Sequence, residues 1–90
     1  MVIEDINELT FHVGVFIHEE MLERNWDADD LAMHMGGEFG VNRLALDLIF
    51  TIRDKNLLLG DDIAAGLSMA FGTSKELWLN LDKAWREKQP

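Results

Sequence analysis

Apolar residues recur at spacings of three and four along most of this 90-residue chain, a period that predicts helices. Phe16, Ile17, Met21 and Leu22 form one face of a first helix over about 15–24, and Asn25-Trp26 breaks it. Asp27 is a good N-cap, with Asp30 three residues on as a shortened capping box. The second helix runs to about Met35 and buries Leu31, Ala32 and Met35. Gly36-Gly37-Glu38-Phe39-Gly40 reads as a loop. Val41 to Ile52 admits two readings. As a helix it carries one polar stripe, Arg43, Asp47 and Thr51, with Arg43–Asp47 as an i,i+4 pair. As a strand it sets Leu46, Leu48, Phe50 and Ile52 on one side and turns at 53–56 into Leu57-Leu58-Leu59. Gly60-Asp61-Asp62 opens a further helix to Phe71, with Ile63, Leu67 and Ala70 inside. Gly72 supplies a C-cap, and Thr73 or Ser74 caps a last helix whose apolar face is Leu77, Trp78, Leu81 and Trp85. Residues 1–11 read as an arm, with a short strand or turn at Leu9-Thr10-Phe11, and 86–90 as a tail.

An apolar fraction of 48% with a single proline fits one compact, mostly helical domain at 12–85. There is no cysteine, which excludes disulfides, thiolate metal sites and cysteine nucleophiles. Met-Val-Ile-Glu-Asp lacks the basic and apolar regions of a secretory signal, and no apolar run reaches the ~20 residues needed to span a bilayer. The expectation is a cytoplasmic protein. The formal charge is −9, and it is unevenly distributed. Residues 1–40 hold ten acids against Arg24 alone, whereas 41–90 hold seven of each sign. Such an acidic surface repels phosphate backbones and suits a basic protein partner.

The chemistry-bearing residues do not assemble into a catalytic pattern. His18-Glu19-Glu20-Met21-Leu22 begins like a zinc-protease helix, but Leu22 stands where the second imidazole must be. His12 and His34 are scattered, so these three read as surface or packing histidines. Asp29-Asp30 and Asp61-Asp62 fall in first helical turns, where negative charge complements the helix dipole. The glycine-rich 36–40 lacks the Gly-Lys-Ser/Thr ending of a phosphate cradle. No enzyme activity, cofactor or metal is expected.

Ala70-Phe71-Gly72-Thr73-Ser74-Lys75-Glu76-Leu77-Trp78-Leu79-Asn80-Leu81 resembles the closing signature of the plasmid-maintenance antidote proteins (HigA/VapI type). Those belong to the lambda-repressor-like helix-turn-helix superfamily. His12-Val13-Gly14 is similar to the family's His-Pro-Gly opening. The resemblance covers roughly 12–85 and implies an all-α, compact five-helix domain, with 41–52 as helix. It further implies a homodimeric regulator that binds operator DNA and a basic toxin. In such a fold the third helix enters the major groove, which makes Asn42 and Arg43 the candidate base readers and Arg53 and Lys55 candidate phosphate contacts. The chain departs from the pattern at Ala28-Asp29, where the family commonly has glutamine and a polar or basic residue. It departs again in the apolar third helix. Leu44, Leu48, Ile52 and Trp85 are therefore candidates for a dimer or partner interface. The second reading is an acidic protein-interaction module on this fold, with DNA binding weakened or lost.

Overall fold

The computed structural model describes residues 11–89, so the expected arm, apart from Phe11, lies outside the described residues. Five helices follow one another, and no strand occurs among the described residues: α1 (Val13–Arg24), α2 (Ala28–His34), α3 (Phe39–Thr51), α4 (Asp61–Phe71) and α5 (Lys75–Glu87). The protein is all-α. The 41–52 segment is helical, and the hairpin alternative does not form. No described helix is long and apolar enough to cross a membrane.

Each boundary has a local cause. His12 caps α1 through its own ring, because Nδ1 accepts from the Gly14 amide at 3.0 Å. Asn25 closes α1 in the left-handed region at φ 59°, a conformation asparagine tolerates better than other residues with a β-carbon. Asp27 and Asp30 form the full reciprocal capping box at the start of α2. Gly36 and Gly37 both sit at positive φ, which lets the chain turn within the four residues between α2 and α3. The loop is therefore shorter than the glycine pattern predicts, since Phe39 and Gly40 already belong to α3. Gly72, at φ 72°, is the left-handed C-cap of α4, and Ser74 caps α5 by accepting from the Leu77 amide. The α5 helix continues through Glu87, past the expected domain edge at 85.

The core joins all five helices. Val13, Ile17 and Met21 of α1 meet Leu31, Ala32, Leu46, Ile49, Ala64, Leu67 and Trp78 in one buried cluster. α4 packs on α5 and α2 on α3, while α1 crosses both α3 and α5. Leu22, expected inside, is 65% exposed, because the inward face of α1 follows 13, 17 and 21 and position 22 falls about 100° away. Leu77 is likewise exposed on α5. An aromatic cluster seals the α1–α2 turn against α4. Trp26 stacks between His34 and Phe71, and Phe71 tilts onto Trp78. Arg24 lies over Phe71 and donates to its carbonyl at 3.2 Å, satisfying one open carbonyl at the end of α4.

Candidate functional site

The two candidate base readers face into the protein or are held by it. Asn42 is only 8% exposed, and its amide nitrogen donates to the Ala32 carbonyl at 3.1 Å and the Gly36 carbonyl at 2.6 Å. Ala32 lies in the last turn of α2, whose final carbonyls have no helical partner, so Asn42 pins the end of α2 to the start of α3. This corrects its expected outward role: at the second turn of α3 the side chain points to α2. Arg43 donates from Nε to Asp29 at 2.8 Å and pairs through Nη1 with Asp47. Asp47 first, and then Asp29, stabilises the charged guanidinium and raises its pKa. The expected i,i+4 pair therefore forms, and Asp29 adds a second anion from α2.

Arg53 sits past the end of α3 and donates to the Ile49 carbonyl at 3.1 Å and to His12 Nδ1 at 2.7 Å. Lys55 is exposed in the connection between α3 and α4. His12 is buried, with its ring edge-on to Trp85 at 4.7 Å. Burial first, and then the Arg53 charge, hold its pKa below the usual imidazole value, against an opposing pull from Asp82. Two donors converge on Nδ1, so the network assigns the ring proton to Nε2. Among the other histidines, His34 stacks on Trp26 and His18 is exposed. No three metal-ligating side chains cluster among the described residues.

The interface candidates divide. Trp85 is buried against His12 and belongs to the interior, so the anchor role does not apply to it in this monomer. Leu44, Leu48 and Ile52 are exposed, and Val41 joins them. With half-buried Ala45, Val41, Leu44 and Leu48 fall at i, i+3, i+4 and i+7 of α3, the spacing of a helix-packing face, and Ile52 extends it as the C-cap residue. Leu46 and Ile49 form a separate, buried face that fills the core. The third helix thus carries two apolar faces, and only one is covered.

Beside the uncovered face lies a groove. It begins at Gly36–Glu38, passes between Val41–Leu48 of α3 and Asp61–Ile63 of α4, and ends over Leu57–Leu59. Its successive hollows of about 350, 450 and 100 Å³ are all walled by Ile63, with Val41 lining the first two and Ala45 and Leu48 the last two. These volumes exceed the ~30 Å³ share of one water, so side chains rather than single ordered waters fit them. The charged residues lining the groove are Glu38, Asp61, Asp62 and Asp82, all acidic. Asp82 is buried, pairs with Arg86 at 2.9 Å and accepts from the Leu59 amide at 3.1 Å, which ties the 57–60 wall to α5. The sequence signal for this groove was the excess of leucine and isoleucine over 44–52, but the α4 wall and its acidic rim required the fold. No family model, curated protein or solved structure matches the chain.

Proposed function

We propose that this domain is a protein-interaction module whose working surface is the outer face of α3 and the groove beside it. The observation that carries the reading is the Val41, Leu44, Ala45, Leu48, Ile52 stripe, which has helix-packing periodicity and stands exposed. Contiguous exposed apolar surface of this kind marks binding sites on soluble domains. The resemblance to the antidote proteins supports a helix-turn-helix descendant, with α2 and α3 as the paired helices. DNA recognition is the less supported of the two readings. Asn42 is spent on α2, Arg43 is flanked by two carboxylates, and the net charge of −9 opposes approach to phosphates.

A chain carrying Leu44→Ser and Leu48→Ser tests the proposal in cells of the native host. It is expected to keep its helical circular dichroism while losing the co-purifying partner that the wild-type chain retains. Unchanged association with that partner would refute the proposal.

A further inference from the structure

Resting on that interface reading, we infer that the groove takes a cationic amphipathic helix from another protein, its apolar stripe on α3 and its Lys or Arg flanks against Asp61, Asp62 and Glu38. Shape and charge both select this occupant. The exposed stripe from Val41 to Ile52 is about 16 Å long at the helical rise, which matches three turns of a partner helix lying alongside. Ile63 walls all three hollows, Val41 joins the first to the second and Leu48 the second to the third, so the depression is continuous and can receive successive apolar side chains from one helix face. Every charged residue lining it is an acid, and no Lys or Arg lies among the lining residues. On α3 and just past it, Arg43 is engaged with Asp29 and Asp47, and Arg53 with His12.

A second copy of this chain fits less well. A two-fold contact brings the same acidic rim from both copies to one interface. Glu38, Asp61 and Asp62 would then gather twice over at the contact, in a chain of net charge −9.

The test uses the full chain and a labelled synthetic peptide of roughly five helical turns, with Leu at i, i+3, i+4, i+7 and i+11 and Lys elsewhere. Its counterpart has the same Leu positions with Glu in place of Lys. Fluorescence anisotropy is expected to show binding of the Lys peptide, weakened about tenfold or more by Leu44→Ser with Leu48→Ser. Asp61→Asn with Asp62→Asn should weaken it a few-fold, and the Asn variant should also flatten its salt dependence. Equal or tighter binding of the Glu peptide would overturn the inference, as would Lys-peptide binding that ignores the two serine substitutions. Self-association abolished by Leu48→Ser would overturn it in favour of a second copy. A photo-cross-link from position 48 to residues 1–10 of the same molecule would overturn it in favour of the chain's own segment. Failure of both peptides while position 48 still cross-links to another protein overturns the cationic helix and leaves the interface reading standing. Absence of any such cross-link removes the interface reading itself.

Discussion

Asn42→Ala separates an internal role for α3's first polar side chain from an external one. The amide makes two hydrogen bonds to carbonyls at the α2–α3 junction, and its residue is nearly buried. Neutral hydrogen bonds contribute about 0.5–1.5 kcal/mol each, and a carbonyl left dry costs a comparable amount, so the loss is about 2 kcal/mol. In a domain of this size that lowers Tm by about 8–16 °C. Asn42→Asp should cost more, because a carboxylate would face two carbonyl oxygens with nothing to donate. Thermal unfolding followed by far-ultraviolet circular dichroism measures both. An Asn42→Ala chain with unchanged Tm would refute the internal assignment, and loss of selective DNA binding by that same chain would give Asn42 back its outward role.

The two faces of α3 should respond differently: Leu46→Ala in the core costs about 2–5 kcal/mol by urea denaturation, whereas Leu48→Ser on the outer face costs less than about 1 kcal/mol. Equal losses would mean that the outer face is covered within the monomer. His12 is neutral in the fold with its pKa lowered below 6.5, so its contribution is fully present above pH 6.5. As pH falls from there toward the folded-state pKa, the unfolded chain takes up a proton that the folded ring resists, and stability declines. His12→Asn keeps a cap acceptor and should flatten the decline in stability as pH falls below about 6.5, where an ordinary imidazole takes up its proton; an unchanged slope would refute this source. Fluorescence anisotropy with the gene's own promoter DNA should show no preference over a scrambled duplex even at low salt. Selective binding that Arg43→Ala abolishes would restore the DNA-reading function.

Local chemistry carried the fold from the sequence. The Asp27–Asp30 box, the Gly72 cap and the Ser74 cap are properties of a few neighbouring residues, and each boundary falls where they place it. The α3 start was less legible because Gly36 and Gly37 complete the turn alone, leaving Gly40 as a helical residue that looks like loop. Leu22 left its expected surroundings for a geometric reason, since a face assigned by spacing alone drifts by one position; Trp85, an apolar-face residue that was also an interface candidate, is held inside by a long-range partner, His12. The candidate site was half visible. The surplus apolar residues of 44–52 were plain in the sequence, but Asn42's commitment to Ala32 and Gly36 depends on how α2 approaches α3. The acidic wall of the groove comes from α4, and only tertiary packing sets it opposite Leu44 and Leu48.

Contact between the outer face of α3 and another protein is open to direct measurement. Site-specific incorporation of a photo-reactive phenylalanine at position 48, with position 22 on the exposed side of α1 as the control, tests it inside the cell. The expected result is a discrete protein adduct from position 48 that is absent from position 22 and disappears with Leu44→Ser. No adduct from position 48, or the same adducts from both positions, would contradict it.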